Sequence, residues 1–151
     1  MGNASFFTKA TVYMQEAEYD AAFGPNPKGL GFKPELYRTI RDNPMIKLHG
    51  DYDVFGDGSV KIISTPGHTP GHQSLLVRLP KSGAVILSGD AVHFEENYLM
   101  RRVPEFNFNV SQSKDSMEKI SRIQEQEHAK LWINHDMAQT LAFPHAPLFV
   151  E

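Results

Sequence analysis

The chain contains no cysteine, which excludes disulfides, thiolate metal ligation and a cysteine nucleophile. Any metal must then be held by His, Asp or Glu, donors that suit zinc, iron, cobalt or manganese. No apolar run approaches the roughly 18 residues of a membrane span. The first residues also lack the basic and apolar regions of a secretory signal. The expectation is a cytoplasmic protein without a membrane partner. Lys and Arg form no run and the formal net charge is -3, so no nucleic-acid partner is expected. No repeat or low-complexity tract is present. With 151 residues, 40% hydrophobic and 22% charged, the composition is that of a globular protein long enough for one core. A single domain over residues 1–151 is expected.

Hydrophobic periodicity and turn residues divide the chain. A short β-branched and aromatic run over residues 10–14 precedes a helical stretch at 16–23, which stops at Gly24-Pro25-Asn26-Pro27. Residues 24–34, rich in Gly and Pro, read as an ordered loop or lid. A second helix is predicted over 34–43. Strands at 47–54 and 59–64 flank Phe55-Gly56-Asp57-Gly58, a hairpin signal. Residues 73–79 and 84–87 are two further strands, turned by Pro80-Lys81-Ser82-Gly83. Residues 91–110 are irregular and aromatic. An amphipathic helix is predicted over 113–127, with Met117, Ile120, Ile123 and Gln124 inward. A buried strand at 131–133 and a short helix at 137–141 complete the reading. Strands first, then a helix between the last two, suggest an α/β fold: part of an αββα sandwich.

The most informative stretch is Ser64-Thr65-Pro66-Gly67-His68-Thr69-Pro70-Gly71-His72. Histidines four apart would share a helix face, but Pro66, Gly67, Pro70 and Gly71 exclude a helix. His68 therefore sits on a tight turn after a strand, a rigid place to hold an imidazole for a metal. Asp90 and His135 also follow apolar runs closely, at 84–87 and 131–133. If the strands at 61–65, 84–87 and 131–133 are neighbours in one sheet, His68, Asp90 and His135 gather on one rim. His, Asp and His together make a sensible borderline metal site. His72 reads as a residue bracing the loop rather than a ligand. His49, His128 and His145 read as structural or exposed.

The Gly-His-Thr-Pro-Gly-His run, Ser88-Gly89-Asp90-Ala91 and Asn134-His135-Asp136 resemble the metallo-β-lactamase-fold hydrolases, the N-acyl homoserine lactonases in particular. The resemblance implies that His68 ligates one metal, that Asp90 bridges two, and that His135 ligates the second. Zinc is the implied cofactor, with iron, cobalt or manganese as alternatives. The implied activity is the opening of a small-molecule lactone or ester by a hydroxide that the metals activate. Many such lactonases carry tyrosine three residues after the bridging aspartate, where it contacts the substrate carbonyl. His93 stands there in this chain and is a candidate for the same contact. The aromatic segment 94–108 could offer an apolar wall to an acyl chain.

The family's His-x-His-x-Asp-His signature has no match in the sequence. Met1 to Phe7, Val12-Tyr13-Met14-Gln15 and Ala17-Glu18-Tyr19 resemble the stretches that follow it. The expectation is a sandwich without its N-terminal strands, with activity in doubt because ligands are missing. The uncovered sheet would invite another chain, a homo-oligomer included. Two alternatives accompany this reading: a non-catalytic remnant or partner-dependent binding module, and, within the fold, a glutathione thioester hydrolase.

Overall fold

A computed structural model describes residues 6–27 and 31–151. The middle of the 24–34 loop and the first five residues of the resembled N-terminal stretch lie outside the described residues. The chain opens with strand β1 (Val12–Gln15) and helix α1 (Glu16–Phe23), and β1 pairs in parallel with β2 (Met45–Leu48). A second, five-stranded sheet contains β3 (Tyr52–Asp53), β4 (Val60–Ser64), β5 (Gln73–Leu79), β6 (Gly83–Leu87) and β7 (Lys130–Trp132), in that spatial order. Helices α2 (Glu95–Leu99), α3 (Val110–Glu127) and α4 (Met137–Ala142) complete the regular structure.

Helix α3 carries the core. Asn109 caps its first turn by accepting the Gln112 N–H at 3.0 Å, and His128, at φ 49°, ends it in the left-handed region. The cap moves the start three residues before the predicted 113. Met117 and Ile120 are wholly buried against Ile63, Leu76, Ile86 and Leu131, one face of the sheet. Ile123 packs at the edge of this cluster, and Gln124 accepts the Tyr98 hydroxyl at 3.0 Å. The opposite face meets the C-terminal segment, where Phe143 stacks on Trp132 at 4.6 Å. A cavity of about 390 Å³ lies between that segment and Val77, Leu87 and Trp132. Among the described residues no helix is long and apolar enough to cross a membrane.

Two sequence expectations are corrected. The helix predicted over 34–43 is a pair of 3-10 turns, Pro34–Leu36 and Arg38–Asp42. They are split at Tyr37, whose backbone leaves helical values (φ -141°, ψ -4°) while its hydroxyl donates to the Ala22 carbonyl at 2.8 Å. Its ring packs edge-on against Phe23 at 5.4 Å, so docking on α1 overrides local helix preference. The strand predicted over 47–54 breaks into β2 and β3, which belong to different sheets. Gly50, at φ 106°, turns the chain there. The Gln15 side-chain amide takes both backbone groups of Gly50 at 2.9 Å each, tying the break to β1. Segment 91–110 is less irregular than its sequence reads, since it holds α2.

Topology decides where the strand ends lie. β4 runs antiparallel to β5 and β5 antiparallel to β6, while β6 and β7 are parallel. The C-terminal ends of β4, β6 and β7 therefore share one rim, which positions everything described below.

Because Ile120 is fully buried at the helix–sheet junction, Ile120→Ala should cost about 2–4 kcal/mol of stability. Arg122→Ala, on the exposed face of the same helix, should change it by less than about 0.5 kcal/mol. Thermal or urea unfolding followed by circular dichroism checks both; equal effects would contradict this placement of the core.

Candidate metal centre

The three strand ends bring His68 and His135 to either side of Asp90 on one rim of the sheet. Asp90 Oδ2 lies 3.4 Å from His68 Nε2, and Asp90 Oδ1 lies 3.0 Å from His135 Nε2. A single carboxylate thus faces two imidazoles, one through each oxygen. His93, half-buried, stacks nearly parallel on His135 (centroids 5.3 Å apart, 13° between planes) and meets His68 edge-on at 5.5 Å. Burial and the neighbouring His68 both press the His93 proton affinity below its ordinary value. Phe106, largely exposed, stands 6.4 Å from the rings of both His68 and His93.

Each side chain is held from behind. His68 Nδ1 lies 3.1 Å from Asn107 Oδ1, an acceptor that places the ring proton on Nδ1 and leaves Nε2 free toward Asp90. The Asn107 amide in turn donates to Ser113 Oγ at 2.9 Å. The loop bearing His68 is docked on the first turns of α3: Ser116 Oγ donates to the Pro66 carbonyl at 2.7 Å, and the Asn109 N–H donates to the Gly67 carbonyl at 2.9 Å. Its far end is docked on α1, where Gly71 N–H donates to Glu18 Oε2 at 2.9 Å. After β7, Asp136 caps α4 by accepting the Gln139 N–H at 3.0 Å and also accepts the Glu95 N–H at 3.1 Å. These backbone donors hold its carboxyl below the usual range.

His72 points away from solvent. Burial pushes its imidazole down to about 4, so the ring is neutral at ordinary pH. His49, His128 and His145 are exposed and outside the cluster. Gly67 is marked in the sequence as a helix breaker, whereas Asn107 is not marked there. Asn107 acts on a histidine 39 positions away and carries no local signal, whereas the Asp136 cap is legible as Asp followed three residues later by Gln139.

The donor chemistry, two imidazole nitrogens and a carboxylate, would suit divalent cations, held by Asp90 together with His68 and with His135. Each cation would draw two bonds from these residues, the carboxylate being shared, against the three or four protein donors usual for zinc. Among the described residues no set of three His, Cys, Asp or Glu side chains converges on one metal position.

Gly67 adopts φ 135°, and a Cβ there would approach Ser113 Oγ to 2.5 Å and the Ser113 backbone more closely still. Gly67→Ala should therefore cost about 3 kcal/mol and loosen the loop that carries His68. Chemical denaturation and the His68 imidazole NMR signals report the two effects; a stability within about 0.5 kcal/mol of the parent would contradict the docking.

Comparison with known proteins adds lineage to this geometry. Residues 1–126 match the metallo-beta-lactamase superfamily. The chain is 34% identical over 153 residues to the N-acyl homoserine lactonase AttM of Azorhizobium caulinodans, covering 96% of this chain and 57% of that protein. It is 36% identical over 151 residues to the protein of the same name from Agrobacterium fabrum, with coverages of 95% and 56%. The chain thus spans little more than half the length of these relatives. A solved N-acyl homoserine lactone hydrolase, with the product N-hexanoyl-L-homoserine at its catalytic metal centre, superposes with a TM-score of 0.82 at 28% identity. That match covers 95% of this chain and 54% of the other. The chain belongs to the metallo-beta-lactamase superfamily.

Proposed function

We propose that this chain carries part of the active site of a cytoplasmic, metal-dependent hydrolase that opens the ring of a lactone of the N-acyl homoserine type. The observation that carries the reading is the Asp90 carboxylate held between the Nε2 atoms of His68 and His135. The names of the similar proteins and the product bound in the superposed hydrolase support the substrate class.

In this reading His68, Asp90 and His135 hold the metal ions, zinc first, with iron, cobalt or manganese accepted by the same donors. Divalent cations supply a lowered water pKa and polarise a carbonyl. The chain's own residues do the rest. Asp90 shares its charge between the two imidazoles. His93, neutral through burial, keeps one ring N–H with which to donate to a substrate carbonyl. Phe106, Phe108 and Phe94 are exposed around the histidines and form an apolar wall for an acyl chain.

A second reading, a binding module that works only with a partner, is favoured by one observation: each cation would have two protein donors among the described residues. The same experiment separates the two. The chain is loaded with Zn(II), desalted, analysed for bound metal, and assayed for opening of N-hexanoyl homoserine lactone. The hydrolase reading predicts bound zinc and zinc-dependent ring opening, both lost by about 100-fold or more in Asp90→Asn. A folded chain that retains no zinc and opens no ring contradicts it and supports the module.

A further inference from the structure

Three features around Asp90 are unused in that reading: the second histidine of the loop, a left-handed glycine, and a chain of buried hydroxyls. His72 Nε2 accepts the Asp90 backbone N–H at 2.9 Å. An acceptor at Nε2 requires the ring proton on Nδ1, and Nδ1 has an acceptor in the Thr65 carbonyl at 3.1 Å, with Thr65 Oγ1 at 2.9 Å. Thr65 Oγ1 lies 2.9 Å from Ser74 Oγ, which donates to the Ser88 carbonyl at 2.8 Å. Thr65, Ser74 and Ser88 are all buried. The network runs from the histidine loop, across the end of β5, to the residue that starts the Asp90 turn.

Gly89 makes the approach possible. It sits at φ 55°, and a Cβ on it would lie 2.8 Å from His72 Nε2 and 3.0 Å from Cε1. The bare α-carbon lets the imidazole reach the Asp90 amide, and the left-handed backbone belongs to the turn that presents that amide.

We propose that His72 is the positioning residue for Asp90: a neutral, Nδ1-protonated imidazole that fixes the aspartate's backbone, so that the carboxylate is set between His68 and His135 before any metal binds. The proposal rests on the reading of Asp90 as a metal donor. His72 touches neither metal nor substrate; it acts through the Asp90 amide. Because it also spans the two loops, one hydrogen bond fixes the distance between His68 and Asp90, residues 22 apart in sequence. A fixed pair of donors is what a cation binds most tightly, since little ordering remains to be done on binding.

The test compares the wild-type chain with His72→Leu, which keeps bulk but removes the acceptor, and His72→Gln, whose Oε1 can accept the same amide. Co(II) alone is the probe, with affinity and the visible d–d spectrum as readouts and thermal unfolding measured separately. His72→Leu is expected to weaken Co(II) binding about tenfold or more and to change the spectrum. His72→Gln is expected to restore both to within about threefold of wild type. A less stable His72→Leu that binds Co(II) with wild-type affinity and spectrum overturns the proposal, because His72 is then merely structural. A Gln variant as impaired as the Leu variant overturns it too. If the Leu variant does not fold, long-range ¹H–¹⁵N NMR of the metal-free wild-type chain decides: a proton on His72 Nε2 overturns the proposal, and a bare Nε2 coupled to the Asp90 amide supports it. A wild-type chain that binds no Co(II) while showing that coupling overturns the donor reading instead.

Discussion

One carboxylate between two imidazoles is the constraint on which the rest of this structure turns. Asp90 meets His68 through one oxygen and His135 through the other. The three residues come from separate strands, so the contact exists only because β4, β6 and β7 end on the same rim. That parallelism is a consequence of topology: two hairpins bring β6 alongside β4 with β5 between them, and α3 crosses over to lay β7 parallel to β6. The apolar junction of Met117 and Ile120 with the sheet supplies the stability that holds the rim in register.

Around that contact the chain replaces bulk with glycine wherever two loops must approach. Gly67 lies against Ser113, Gly71 against the first turn of α1, and Gly89 against His72. Each lets a backbone reach closer than any side chain would permit, and each approach is fastened by a hydrogen bond: Asn109 to Gly67, Gly71 to Glu18, Asp90 to His72. The histidine loop is thereby clamped between α1 and α3, with His68 projecting from its middle. Polar groups behind the donors complete the arrangement. Asn107 orients His68 and Asp136 fixes the turn after His135, so the imidazoles are aimed by hydrogen bonds rather than by packing alone.

Much of this could be read from the sequence, and the parts that could be share a property. The histidine loop, the strands before Asp90 and His135, and helix α3 are signalled by residues adjacent in sequence: prolines and glycines that forbid a helix, apolar runs, a helical stripe. The ends of these elements lie within three residues of the predicted bounds, the largest difference being the start of α3. The features that escaped depend on residues far apart. Gly50 breaks the predicted strand because Gln15, 35 positions earlier, captures both of its backbone groups. Tyr37 interrupts the predicted helix because the Ala22 carbonyl and the Phe23 ring dock it. Asn107 is silent for the same reason, its partner His68 lying 39 positions away. Periodicity records which face of an element is buried, not which distant amide will claim its backbone.

The central claim is that His68 and His135 each present Nε2 to one oxygen of the Asp90 carboxylate while His72 does not. Zn(II) titrated into a ¹⁵N-histidine-labelled chain, with every imidazole nitrogen followed by NMR, tests it most directly. The account predicts large shifts at Nε2 of His68 and His135, with the His68 proton remaining on Nδ1, and an unligated His72. Shifts confined to His49, His128 or His145, or ligation at His72, would contradict it.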